Sequence, residues 1–193
     1  MTARLPHDRR VDARRNRDRI LGAAGPLFAS HGFGVPMRVV AEVADVGPAT
    51  VYRHFPTKAL LVAAVFTEQS RAWESALGRG LTDPDPWRGF RRTVADLCAL
   101  HADDRGFSAA VKSEFPRAAD FAGMRLTALR AGAELIRRAQ VSGHLRADVT
   151  LADLILMTSA AGRSGARTPA ERSATAQRLA ALTIRAFQAA PST

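Results

Sequence analysis

The chain has 193 residues, enough for one domain or two small ones at ~150 residues per domain. Its 28 Lys and Arg against 18 Asp and Glu leave a formal charge of +10, and 47% of its residues are hydrophobic, so it can bury a real core and is not disordered at rest. A single cysteine, Cys98, excludes an intrachain disulfide scaffold and a Cys-rich zinc site, and no apolar run approaches the ~18 residues of a membrane helix. Met1 to Ile20 carries Arg and Asp where a secretory signal would carry its apolar segment. A soluble, cytoplasmic protein without membrane partner or cofactor is expected.

The basic excess is almost wholly arginine, since Lys58 and Lys112 are the only lysines. A guanidinium fork suits phosphates and base edges better than a point charge does. Codon composition could also favour arginine, so charge alone leaves nucleic-acid binding open. Position is more informative. Between Arg4 and Arg19 seven Arg (4, 9, 10, 14, 15, 17, 19) face three Asp (8, 12, 18). This arm either lies on DNA phosphates or in a minor groove, or is a solvated tail.

The elements read as helices throughout, with no sustained two-residue alternation. After a polar arm of about a dozen residues, Ile20, Ala24, Leu27, Phe28 and His31 recur at helical spacing, and Gly32 supplies a stop. Pro26 interrupts this pattern and predicts a kink or a break at Gly22–Pro26, because it removes one backbone bond at a cost of roughly 3 kcal/mol. A short helix follows over about 38–44, with Val39, Val40 and Val43 as its apolar side. Asp45-Val46-Gly47 is a tight turn, and Gly47-Pro48 fits a cap and first position of the next helix, which runs to about His54. Pro56-Thr57 separates it from a longer helix, 58–78, with Leu60, Leu61, Ala64, Val65 and Trp73 as core candidates. Residues 78–85 are expected to be loop.

The second half restarts at Asp85-Pro86-Trp87, a cap and first turn. Phe90, Val94, Leu97 and His101 then share one face. A short helix from Phe107 to Phe115 leads through Pro116 into a long one over about 117–141, stopped by Gly143. Thr150 with Asp153, and Thr168-Pro169-Ala170-Glu171, resemble capping boxes that open two last helices at about 150–163 and 169–189. Nine helices result, with no internal repeat.

Two short helices joined by a three-residue turn are what a helix-turn-helix reader requires. Ala41 is small where the second helix crosses, while Val46, Val51 and Phe55 are apolar and can lock the pair to the first helix. Thr50, Tyr52, Arg53 and His54 are polar-tipped and point to a face that could enter the ~12 Å major groove. Any small helical hairpin could show such a division. The identities say more. Ala44-Asp45-Val46-Gly47-Pro48-Ala49-Thr50-Val51-Tyr52-Arg53-His54-Phe55-Pro56-Thr57-Lys58-Ala59-Leu60-Leu61 closely resembles the signature of the tetracycline-repressor (TetR) family of transcriptional regulators. Ile20-Leu21-Gly22-Ala23-Ala24 and Leu27-Phe28-Ala29-Ser30-His31-Gly32-Phe33 resemble its first helix, so the likeness covers about residues 14–66.

The resemblance implies an all-α, nine-helix, two-domain fold: an Arg-rich flexible arm (1–13), a three-helix DNA-binding domain (14–58), and a helical ligand-binding and dimerisation domain (59–193). It implies that Tyr52, His54 and Lys58 contact phosphates of a double-stranded operator and that Thr50 contacts base or backbone. Pro48 and Ala49 stand at the helix tip, and Arg38 and Arg53 can reach bases, guanine being the commonest target of Arg. The chain departs from the family pattern where Val35-Pro36-Met37 replaces a hydroxyl cap, where Asp45 replaces a common turn glycine, and at Pro26.

The resemblance further implies a homodimer on a pseudo-palindrome, most readily a repressor relieved by a small apolar ligand. Leu151, Leu154, Ile155 and Thr158, then Leu179, Leu182, Thr183 and Phe187, form stripes suited to a dimer interface or to ordinary core. Phe90, Val94, Leu97, Cys98, His101, Phe107, Val111, Phe115, Phe121 and Met124 are candidates for a ligand cavity, against simple core packing. The alternatives are an architectural, nonspecific DNA binder and a thiol-based redox sensor or enzyme built on Cys98 with His101 three residues on. The five His form no metal pair and no nucleophile elbow or phosphate loop is present, so neither enzyme nor metal site is expected.

Overall fold

The structure, a computed structural model, describes residues 6–104, 106–117 and 119–190, with residues 6–10 described by backbone alone. Among the described residues nine α-helices follow in order: α1 Pro6–His31, α2 Met37–Val43, α3 Pro48–His54, α4 Lys58–Thr82, α5 Pro86–Asp104, α6 Phe107–Glu114, α7 Phe121–Val141, α8 Leu151–Ser159 and α9 Pro169–Phe187. A 3-10 turn, Ala160–Arg163, extends α8. Among the described residues there is no strand, only an isolated antiparallel bridge between Leu145 and Gln188.

Most element starts are local hydrogen-bond events. Thr168 and Glu171 make both halves of a capping box, and so do Thr150 and Asp153. Asp85 Oδ1 accepts from the Trp87 and Arg88 amides at 3.0 Å, opening α5. Gly32, at φ +71°, donates its amide to Phe28 O at 2.9 Å and ends α1.

Three boundaries differ from the sequence reading. Helix α1 begins at Pro6, so residues 6–13 are helical where a flexible arm was expected; residues 1–5 lie outside the described residues. Pro6 suits a first turn, where its missing N–H costs nothing. The helix is continuous through Pro26, so of the kink or break expected there the break is not found. Helix α4 runs four residues past Gly78, to Thr82. The long helix of the second half starts at Phe121, not Arg117, because Asp120 accepts from the Gly123 amide at 2.9 Å and caps it.

The chain forms two compact units. The first comprises the residues up to Glu68 together with Phe107–Ala119. Its core joins Ile20, Ala24 and Phe28 of α1 with Val40 and Ala41 of α2, Val51 of α3, and Leu61, Val62 and Val65 of α4. Helix α6 belongs to this unit through aromatic contacts. Phe107 stacks on Phe28 with centroids 6.5 Å apart, and Phe33 meets Phe107 at 5.7 Å and Phe115 at 5.2 Å, both edge-on.

The second unit, Gln69–Gly106 with the residues from Asp120 onward, is built around α5. Phe90, Val94 and Cys98 pack with Leu135 and Ala139 of α7, Leu154 of α8, and Ala176, Ala180 and Phe187 of α9. Helices α4 and α5 cross at Gly80 and Gly89, where a Cβ on Gly89 would run into Gly80 O. The exit from α4 is held by Arg138, which donates to Leu81 O and, at 3.0 Å, to Asp83 O. The buried Asp83 carboxylate takes the Arg88 guanidinium at 2.7 Å, and that bond holds its pKa below the usual carboxylate range.

Candidate nucleic-acid interface

The α2–α3 pair is assembled from the inside. Val40, Ala41, Ala44, Val51 and Phe55 are buried and Val46 is half-buried. The turn between the helices closes through Val46 N to Ala41 O at 3.0 Å, with Asp45 in the left-handed region at φ +51°. Asp tolerates that region better than most residues, which is how a turn usually made by glycine is made here. Arg19 of α1 then fixes it, donating to Asp45 O at 2.7 Å and pairing with the Asp45 carboxylate. Gly47 caps α3 in extended geometry, with Pro48 in its first turn.

Once the apolar side is consumed, the opposite side is left to solvent. Arg38, Pro48, Ala49, Tyr52 and Arg53 are exposed, Tyr52 at 53%; Thr50, His54 and Lys58 are half-buried. The sequence-predicted contact residues of α3 therefore share one accessible surface, and Arg38 is open at the start of α2. Two expected apolar contacts are corrected: Val43 and Leu60 are exposed at 57% and 53%, so neither serves the core.

Three details lay beyond sequence reasoning. Lys58 Nζ donates to Phe33 O at 2.7 Å, so its ammonium ties α4 to the chain after α1 and keeps two protons for an anion. The Arg17 guanidinium lies 4.7 Å from the ring centroid of Phe55, the residue closing α3. His54 has a buried Nε2 with no hydrogen-bond partner. Its pKa is below the ordinary imidazole value because of burial first, then the positive charges of Arg53 and Arg17. The ring is neutral at neutral pH and two guanidiniums surround it. The positive charges of Arg53 and Arg17 beside a neutral ring make this end of α3 suited to an anion.

The other candidates separate. Phe90, Val94, Leu97 and Cys98 are buried in the second unit, with His101 half-buried there. Phe107, Val111 and Phe115 belong to the first unit, so the ten cavity candidates are not brought together. Phe121 and Met124, at the start of α7, are half-buried. His101 meets Trp73 edge-on at 4.4 Å, and burial keeps its pKa low despite the Asp104 charge. Burial pushes the Cys98 thiol up to about 11, which removes the thiolate a redox or nucleophilic role needs.

Leu154, Thr158, Thr183 and Phe187 are buried within the single chain and so are corrected from interface to core. Ile155 and Leu182 remain exposed, as does Leu156, while Leu151 and Leu179 are half-buried. Among the described residues no group of three or more His, Cys, Asp or Glu could hold a metal ion, and no helix is long and apolar enough to cross a membrane.

Residues 20–65 match the model for bacterial regulatory proteins of the tetR family, and residues 85–188 match the C-terminal domain of SbtR-like transcriptional regulators. A solved TetR transcription regulatory protein from Mycobacterium vanbaalenii is 31% identical, with 93% of this chain and 99% of that one covered and a TM-score of 0.69. The repressor KstR of Mycobacterium tuberculosis is 47% identical over 60 residues, 30% of this chain and 27% of that protein. The regulator UidR of Escherichia coli is 36% identical over 64 residues, 32% of this chain and 33% of that protein. The chain thus spans about a third or less of the length of these two relatives. The matched models and relatives are transcriptional regulators, and none is an enzyme. With one family model over the reading helices, another over most of the second unit, and a relative aligned along its whole length, the chain belongs to the TetR family of bacterial transcriptional regulators.

Proposed function

We propose that this regulator binds a pseudo-palindromic DNA operator as a homodimer and represses transcription until a small apolar ligand enters its second unit. The observation that carries the reading is the division of α2–α3: an apolar side locked to α1, and an open side bearing Arg38, Tyr52 and Arg53. Tyr52, His54 and Lys58 serve phosphates. Arg38, Arg53 and Thr50 read base edges, with Pro48 and Ala49 close enough to the groove for Ala49 to meet a thymine methyl. Residues 14–58 act as the reading head.

Dimerisation is supported by what α8 and α9 leave uncovered. Ile155, Leu156 and Leu182 are exposed large apolar side chains on the last two helices, and a two-fold pairing through them presents two reading heads. Relief by ligand requires an affinity that differs between the DNA-fitting and non-fitting arrangements.

The test is selection of bound duplexes from a random library by the full-length protein, followed by titration of the enriched sequence and sedimentation of the free protein. A palindromic enriched sequence and a dimer are expected. Replacing Arg38 by Ala should cost about 1–3 kcal/mol and relax preference at one base position. Recovery of no sequence preference, with equal affinity for unrelated DNA at physiological salt, would leave a nonspecific binder instead.

A further inference from the structure

Helices α2 and α3 have seven residues each, short of the roughly 12–15 at which an isolated helix becomes even marginally stable, and neither start carries a side-chain cap. The direction in which α3 points is therefore set by what holds it to the rest of the first unit. Its second half is held by burial: Val51 and Phe55 are buried, and the Arg17 guanidinium covers the Phe55 ring. Its first half has no such anchor. Pro48 and Ala49 are exposed and Thr50 is half-buried. Gly47 brings no side chain to this end, and Pro48 brings no amide proton.

The tie to that end sits three residues upstream of Pro48. Arg19 of α1 donates to Asp45 O at 2.7 Å and pairs with the Asp45 carboxylate. Asp45 stands at φ +51°, a conformation that glycine adopts without cost and other residues do not. What aspartate adds over glycine is the carboxylate. With the Asp45 side chain 93% exposed and that of Arg19 40% exposed, the pair contributes little to folding stability. An acid next to a surface meant for phosphates also opposes binding by charge alone. Its effect is geometric: one guanidinium grips the main-chain carbonyl and the carboxylate of a single residue, which fixes both the place and the tilt of the turn.

We propose that Arg19 and Asp45 are positioning residues for DNA recognition, their contact setting the angle at which the tip of α3 enters the major groove, with neither side chain touching DNA. This rests on the reading of the first unit as a DNA-binding head. Base-edge hydrogen bonds require close alignment, whereas phosphates are met by long side chains that follow small displacements. Loss of the contact therefore lowers discrimination between sequences more than it lowers affinity for DNA as such.

The experiment titrates full-length protein by fluorescence anisotropy against two labelled duplexes of about 40 bp, between about 50 and 200 mM salt. One carries the sequence that the wild type enriches from a random library, the other a shuffled version of it. D45G keeps the left-handed turn accessible and removes a negative charge, so charge alone would tighten binding. The expected result has the opposite sign: binding to the selected duplex about five- to tenfold weaker, and to the shuffled one changed by less than about twofold. R19A, which also removes the bond to Asp45 O, should lose at least as much, with the salt slope of the wild type. R19A/D45G should bind within about twofold of R19A, since the two residues act through one contact. Melting followed by circular dichroism should stay close to wild type in all three variants.

D45G that binds the selected duplex as tightly as wild type, or more tightly, overturns the proposal. An R19A loss that is equal on both duplexes, with the slope smaller by about 0.9 per chain, also overturns it, because that is the mark of a direct phosphate contact. A large drop in melting temperature, with loss of binding to both duplexes, would reduce the pair to a structural role. Wild-type protein that enriches no sequence overturns the reading of the head and this inference with it, whereas a discriminating wild type with an unaffected D45G overturns this inference alone.

Discussion

Two glycines in one helix, two residues apart, should respond to alanine with opposite signs. Gly78 and Gly80 both lie inside α4, where alanine is intrinsically favoured by about 0.8–1.0 kcal/mol. A Cβ on Gly78 meets nothing within 4 Å, so Gly78→Ala should stabilise the second unit by about 0.5–1 kcal/mol. At Gly80 the same methyl would run into Thr93 Oγ1, and would come within 3.0 Å of Leu135 Cδ2 and 3.1 Å of Gly89 O. Thr93 is buried, β-branched and hydrogen-bonded to Gly89 O at 2.9 Å, so it has no room to turn away. Overpacking of this kind costs about 1–3 kcal/mol, enough to exceed the propensity gain. The propensity gain is common to both, so the two variants should differ by the overpacking cost, about 1–3 kcal/mol, or roughly 2–12 °C in Tm for a chain of this size. Guanidinium unfolding followed by tryptophan fluorescence isolates the effect, because Trp73 and Trp87, the only two tryptophans, both lie in the second unit. If Gly80→Ala proved as stable as Gly78→Ala, the close crossing of α4 and α5 would not exist in solution.

Three further outcomes follow from particular contacts. Phe107→Ala should cost about 3–5 kcal/mol and lower hydrogen-exchange protection in α1–α3, because Phe107 fills the aromatic cluster with Phe28 and Phe33; loosening confined to the second unit would contradict that placement. Duplex affinity should rise as pH falls from about 7.5 to 5.5. In the free protein burial, Arg53 and Arg17 hold the His54 pKa low, and a bound phosphate raises it, so the gain is present at low pH and lost as pH rises through the bound-state value. His54→Gln should flatten this profile, and an identical profile in that variant would move the effect to another group. Cys98 should resist a thiol reagent in the native protein and react at once after denaturation, since its thiol is buried and its pKa is about 11; rapid native labelling would reopen a covalent role.

Local chemistry decided what the amino-acid order could announce by itself. The capping boxes at Thr150–Asp153 and Thr168–Glu171, the start of α3 at Pro48, and the stop at Gly32 each depend on groups within a few residues of one another. The polar and apolar sides of α3 were legible for the same reason: a seven-residue helix with Val51 on one side must show Tyr52 and Arg53 elsewhere. Which surface covers an apolar stripe is a different question, and periodicity does not answer it. Tertiary packing took Phe107 and Phe115 into the first unit and put Leu154, Thr158, Thr183 and Phe187 inside the chain. It also left Val43 and Leu60 in solvent, tied Arg19 to Asp45, and spent one Lys58 proton on Phe33. Those outcomes turn on contacts between residues far apart in a chain whose local preferences were satisfied either way, and only close packing of the folded chain selects among them.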